Sequence, residues 1–184
     1  MKIATFFMIL LVFIESLEAI SIDTSMKIEN ISKKYLGDPY VWGGNTPETG
    51  MDCSGYTKYV FKKVGISIPR TAYAQSKVGK KIDKQNFKKG DLLFFLTDIK
   101  RNIPITHVGI YLGDDKFIHA ASSKQGIIIS SLKGSYGKKF VTAKRIIEQD
   151  KNAIEKFYFS LDEEAMKSSM AVKITSFGGV HATF

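Results

Sequence analysis

From Ile3 to Ile14 the chain is apolar apart from Thr5, with Lys2 before it and Ser16-Leu17-Glu18-Ala19 after it. A positive residue, a short apolar run and a small residue at a cleavage position form the pattern of a secretory signal ending at Ala19. The run falls short of the about 20 apolar residues that a membrane-spanning helix needs. Farther on, Met26, Ile28, Ile31, Tyr35 and Leu36 recur at loosely helical spacing over 24–36, and Gly37-Asp38-Pro39 ends that run. Tyr56, Val60 and Val64, flanked by Tyr59 and Phe61, predict a second helix. Asp52 is its N-cap, Cys53 its first helical residue and Gly65 its stop. The period then changes. Leu92 to Leu96, after the Gly90-Asp91 turn, reads as a buried strand. His107 to Leu112 and Phe117 to Ala120 read as two more, joined across Gly113-Asp114-Asp115. Ile127 to Ser131 and Phe140 to Ile147 complete about five strands. Helices first and a meandering antiparallel sheet second is the order of an α+β fold, with N-terminal helices packed on a central sheet. Residues 150–184 are polar and then rich in small side chains, as in a tail outside the core. The chain thus divides into a signal segment (1–19), one domain (20–149) and a tail (150–184).

Composition narrows the class. In a chain of 184 residues, 44% hydrophobic and 12% aromatic content is enough for a packed core. The net charge is +9, and removing residues 1–19 takes away Lys2, Glu15 and Glu18, which raises it to +10. A strongly basic exported domain suits a polyanionic partner. The lysine pairs are scattered and no nucleic-acid-binding motif is present, so an anionic cell wall fits better than nucleic acid. Cys53 is the only cysteine, which excludes an internal disulfide and leaves no N-terminal Cys to carry a lipid. No stable membrane anchor is expected, and the chain is expected to act as a monomer.

A lone thiol is either buried and structural or reactive, and its surroundings decide. At a helix N-terminus Cys53 gains roughly half a positive charge beside it, which favours the thiolate over the about 8.5 pKa of a free Cys. Such a thiol is expected to be alkylated faster than a free one. Backbone N–H groups there, the amide of Cys53 included, can hold an oxyanion. A base has to be near in space, not in sequence, and two of the three His lie in the predicted strand hairpin. With a three-residue loop at Gly113-Asp114-Asp115, Gly109 faces His119 and His107 lies two residues along on the same face, roughly 7 Å away on the diagonal. An even-length loop would put the two His on opposite faces unless a bulge intervened. Gly109 leaves room for a neighbouring side chain. Two His and a Cys could also suggest zinc, but the tight ligand pairs of such sites are missing, so no metal or cofactor is expected.

Taken together, several segments resemble the NlpC/P60 family, and within it the murein endopeptidases of the Spr type. They are Gly37-Asp38-Pro39-Tyr40-Val41-Trp42-Gly43-Gly44, Met51-Asp52-Cys53-Ser54-Gly55, Ile68-Pro69-Arg70, Gly90-Asp91-Leu92-Leu93-Phe94-Phe95, His107-Val108-Gly109-Ile110-Tyr111-Leu112-Gly113 and Phe117-Ile118-His119-Ala120. The likeness runs in order from about residue 27 to 147 and implies a papain-like α+β fold. It implies hydrolysis of peptide bonds in peptidoglycan, with Cys53 as nucleophile, His107 as base and His119 as third polar residue. It also marks Tyr40 as a pocket residue. On chemistry alone Tyr40 can offer a phenol to substrate or simply pack. Ser54, beside the nucleophile, is expected to bind substrate together with Tyr40 and Arg70, although Arg70 can either face an acidic stem peptide or form a structural ion pair. Amidase or acyltransferase chemistry on a related fold, or a wall-binding module without turnover, are the other readings. The recognisable core closes at Ile147 and the tail is polar, so a chain shortened to residues 20–150 is expected to fold and keep its activity. A thermal melt of that chain checks this, and loss of cooperative unfolding would mean that the tail completes the core.

Overall fold

The computed structural model describes residues 23–146, so the expected signal segment and the tail lie outside the described residues. Helix α1 covers residues 23–33, α2 Cys53–Lys63, α3 Ala72–Gln75 and α4 Ser135–Lys139. Among the described residues there are eight strands: β1 Asn45–Thr46, β2 Gly50–Met51, β3 Lys80–Ile82, β4 Leu92–Phe95, β5 His107–Gly113, β6 Lys116–Ser122, β7 Gly126–Ser131 and β8 Phe140–Arg145. β1 and β2 form a small hairpin, and the other six make one antiparallel sheet in the order β3-β8-β4-β5-β6-β7.

The five expected strands are present as β4 to β8, and the α+β order holds. The sheet departs from a simple meander in two ways. β3 is a sixth strand whose three residues, Lys80-Lys81-Ile82, bury only Ile82, too short a run to show an alternation. β8 does not lie beside β7 but inserts between β3 and β4, pairing Ala143 with both Ile82 and Leu93. β4 is buried along its whole length because both faces of the sheet are covered. Leu92 and Phe94 join the helix-side core with Tyr56, Val60, Ile110 and Ile118. Leu93 and Phe95 join a second cluster with Tyr111, Phe117 and Ala143.

α2 is fixed at both ends. The Asp52 side chain accepts from the Gly55 N–H at its start. At its end Gly65 takes a left-handed φ of 82°. Gly65 N–H then bonds to the Lys62 carbonyl and Ile66 N–H to the Phe61 carbonyl, the paired bonds of a Schellman stop. The buried Tyr56 hydroxyl donates to the Ser32 carbonyl at 2.9 Å and ties α2 to α1.

The β5–β6 hairpin differs from the expected three-residue loop. Asp114 and Asp115 both have positive φ, 51° and 56°, as in the two-residue turn whose twist matches the strands. The register runs Ile110↔Ile118 and Tyr111↔Phe117, then shifts to Gly113↔Lys116, leaving Leu112 as a bulge. The bulge restores the odd spacing, so His107 and His119 share one face. Gly109 is required beneath them. A Cβ there would stand 2.6 Å from Phe117 Cδ2 and 3.1 Å from His119 Cβ. Gly109→Ala should therefore destabilise the domain by about 1–3 kcal/mol and lower its Tm. Denaturant unfolding measures this, and a wild-type midpoint would show that the strands can give way.

Candidate active site

The site begins with Asp52, which uses both carboxylate oxygens. Oδ1 accepts from Gly55 N–H at 2.7 Å, from the Ser54 hydroxyl at 3.2 Å and from Arg70 at 2.9 Å. Oδ2 accepts from Gly43 N–H at 3.0 Å and from Arg70 at 2.7 Å. Burial works against the ionised carboxylate. The hydrogen bonds from Arg70, Gly55 and Gly43, with the Arg70 charge, outweigh it and hold Asp52 below the usual range. Gly55 must be glycine, because a Cβ would lie 2.1 Å from the Gly44 carbonyl oxygen.

Cys53 follows directly and is 8% exposed. The N–H groups of Val108 and Ser54 donate to its sulfur, so the thiol sits against the start of β5, one residue from His107. Burial, helped by the Asp52 carboxylate, pushes the thiol up to about 11 despite these donors. This corrects the expectation of an acidic thiol: the helix start is present, but desolvation and the neighbouring carboxylate outweigh it.

His107 and His119 are both buried, and their facing nitrogens, Nε2 and Nδ1, lie 2.6 Å apart. His119 Nε2 continues the chain to the Ser130 hydroxyl at 2.9 Å. Burial pulls His107 down to about 4, with Asp52 opposing. Burial, reinforced by the charge His107 could carry, lowers His119 further. The low-dielectric surround is aromatic. Tyr136 of α4 lies 5.1 Å from the His119 ring and 6.3 Å from that of His107, and Phe95 and Phe117 close the same face.

A cleft of about 490 Å³ opens over the thiol. Tyr40, Trp42, Asp52, Ser54, Arg70 and Arg101 are among its lining residues. Burial, with the Cys53 and Asp52 charges, raises the Tyr40 phenol to about 12, so it stays a donor. Ser54 and Arg70 reach the cleft, but their polar atoms are already engaged. Arg70 bonds Asp52, the Ser54 hydroxyl at 3.0 Å and the Gly44 carbonyl at 3.1 Å, which is the structural ion pair rather than a hand held out to substrate. Sequence reasoning missed three neighbours. Ser130 was hidden in a strand read as ordinary, and Tyr136 in a loop before β8. Gln75, fully buried, bonds the Ser54 and Pro69 carbonyls and the Thr57 hydroxyl. A helical Thr-Ala-Tyr-Ala-Gln run after Pro69-Arg70 was the one available signal for it.

A helix-borne thiol set against an antiparallel sheet that carries two coupled imidazoles belongs to an α+β fold of the papain-like kind. Residues 37–146 match the NlpC/P60 family, and the chain belongs to it. It is 44% identical over 115 residues to the gamma-DL-glutamyl hydrolase of Bacillus subtilis, covering 62% of this chain but only 27% of that protein. It is 34% identical over 131 residues to murein DD-endopeptidase MepS/murein LD-carboxypeptidase of Escherichia coli, 70% of this chain and 66% of that protein. Among solved structures it resembles an NlpC/P60 family protein from Bacillus cereus, with a TM-score of 0.62 and 35% identity over 67% of this chain and 40% of that one.

The two depressed imidazoles set a pH dependence of stability. Both His are neutral in folded and unfolded chains above about 6.5. As pH falls below that value, the unfolded chain takes up protons that the folded chain refuses until about 4 at His107. Stability is therefore present above about 6.5 and lost on acidification, by up to about 1.4 kcal/mol per pH unit for each His. His119→Gln should show a shallower loss than wild type in chemical unfolding between pH about 7 and about 4. Equal slopes would mean that His119 carries no burial penalty.

Proposed function

We propose that the chain is an exported cysteine endopeptidase that hydrolyses peptide bonds in peptidoglycan stem peptides or cross-links through a thioester intermediate. The observation that carries this reading is the hydrogen-bonded series His107, His119 and Ser130, which begins at the start of β5, next to the Val108 N–H that meets the Cys53 sulfur. His107 Nε2 is bound to His119, so Nδ1 is the nitrogen left to act on the thiol in this reading. If Nδ1 holds the lone pair, Nε2–H donates to His119 Nδ1 and His119 Nε2–H donates to the Ser130 oxygen. His119 thus fixes the tautomer that His107 needs as a base. The basic charge of the chain and the names of its relatives, a murein endopeptidase and a γ-glutamyl hydrolase, support a wall peptide as substrate.

In this reading the resting pair is neutral, since the thiol lies near 11 and His107 near 4. Substrate entering the cleft brings a carbonyl carbon to the sulfur. His107 Nδ1 takes the thiol proton as the S–C bond forms, so the thiolate never stands alone. The Cys53 N–H and the Tyr40 phenol, which line the same cleft, receive the oxyanion in this reading. The imidazolium then gives its proton to the leaving amine, and water, deprotonated by the same nitrogen, cleaves the thioester. Ser54 and Arg70 act through Asp52 by holding the helix start in place.

Digestion of purified peptidoglycan, followed by mass analysis of the fragments, tests the reaction. New free amines on stem peptides are expected. Whole stem peptides freed from the sugar with a new N-terminal amine would mean amidase action, and binding without fragments would mean a wall-binding module. His107→Ala should lower kcat by about 10²–10⁴-fold. His119→Ala should lose less, and His119→Gln should recover part of the loss through its amide oxygen. The ultraviolet absorbance of a thiolate should be missing at neutral pH. A resting thiolate signal that vanishes in Cys53→Ser would sink the neutral-pair mechanism.

A further inference from the structure

Arg101 stands at the mouth of the cleft with its charge unspent. It ends the 3₁₀ turn Ile99–Arg101 in the loop between β4 and β5, and it lines the same cleft as Cys53 and Tyr40. Its guanidinium carbon lies 4.9 Å from the centre of the Trp42 ring. Its charge is felt at the Tyr40 phenol, where it favours the ionised form. Among the described residues it makes no ion pair with a carboxylate, whereas Arg70 in the same cleft is paired with Asp52. Asp52 and Arg70 cancel, so the cleft keeps the positive charge of Arg101.

The loop is built to hold this position. Thr106 Oγ1 accepts from the Thr97 N–H at 2.8 Å and from the Asp98 N–H at 3.1 Å, which pins its base. Asp98 accepts from Lys100 N–H at 3.0 Å, and Asn102 turns left-handed with φ 50° to close the turn. Trp42 is 70% exposed, a large apolar ring that an isolated domain would rather cover. A guanidinium laid over an indole keeps its N–H edge free for the two-pronged grip that suits a carboxylate.

We propose that Arg101, supported on Trp42, reads a free carboxylate next to the bond to be cut, the α-carboxylate that a γ-linked glutamyl residue retains. The inference rests on the peptidase reading and deepens it, because such a carboxylate flanks a γ-glutamyl bond and disappears when the residue is amidated. A peptide in which that carboxyl is a carboxamide loses the charge and keeps the shape.

Two synthetic peptides differing only in this group, γ-D-glutamyl with a free α-carboxyl and γ-D-isoglutaminyl, test the proposal. Their binding to Cys53→Ala protein is measured by calorimetry, with and without Arg101→Gln or Arg101→Lys. The free acid should bind about tenfold more tightly, near the low end for a hydrogen-bonded charge in an open cleft. Arg101→Gln should bring that ratio towards one, and Arg101→Lys should restore only part of it, because the ammonium keeps the charge and loses the fork. Equal binding of the two peptides, or a preference that survives Arg101→Gln, overturns the proposal. Turnover of the same peptides by the unmodified enzyme separates the two ideas. If neither is cut, the peptidase reading fails, and the binding ratio still decides the role of Arg101.

Discussion

The Asp52 carboxylate holds together the three chain segments that surround the thiol. The glycine-rich loop reaches it through Gly43 N–H, the helix start through Gly55 N–H and the Ser54 hydroxyl, and the segment after Pro69 through Arg70. Each contact spans a different loop, so one side chain sets their mutual positions. A charge that is 9% exposed survives only because every oxygen has donors and a cationic partner lies beside it. Leaving either partner alone would strand a buried charge. The arrangement has a consequence at the neighbouring residue, since the same carboxylate raises the Cys53 thiol. Arg70 offsets part of that effect.

Burial governs the electrostatics of the site as a whole. The aromatic wall of Phe95, Phe117 and Tyr136 makes an imidazolium expensive at His107 and more so at His119. Burial raises the thiol beside them despite the helix start. Ion-pair activation at rest and general-base activation on demand call for the same residues. The difference lies in the dielectric around them, and under the proposed function the surroundings favour the second. A neutral residue at position 119 fits this setting, because a carboxylate there would bury a full negative charge among aromatic rings with no cationic partner beside it among the described residues.

The fold was legible in the sequence where local signals were strong and mutually consistent. Asp52 at the cap, Gly65 at the stop and the continuous apolar run of β4 each have one physical meaning, and the structure realises them. The two His could be placed on one face because strand parity is a counting argument, although the parity came from a bulge at Leu112 instead of from the loop. β3 was not legible, since three residues with two exposed lysines show no period. The insertion of β8 between β3 and β4 depends on long-range pairing that no local pattern encodes. Ser130 and Tyr136 escaped for a related reason: their partners are 11 and 17 residues away from them in His119, across a strand or a helix. The thiol's acidity was misjudged because the helix start is visible in sequence and the depth of burial is not.

Three consecutive residues, Thr106 and the first two of β5, join parts of the site that look separate. Thr106 pins the loop that carries Arg101. His107 holds the coupled imidazole pair. Val108 turns its side chain into the helix-side core and its N–H to the Cys53 sulfur. Alternation along the strand sends neighbouring side chains to opposite faces, so a single backbone segment can serve the loop, the imidazole pair and the thiol at once. Pairing of Phe95 with His107 and Phe94 with Val108 fixes that segment from the β4 side. A shift of one residue in this pairing would turn His107 into the helix-side core and Val108 towards Tyr136. The register of β4 with β5 is therefore a condition for the chemistry as much as for the fold, and the uninterrupted burial of β4 is what makes that register costly to change.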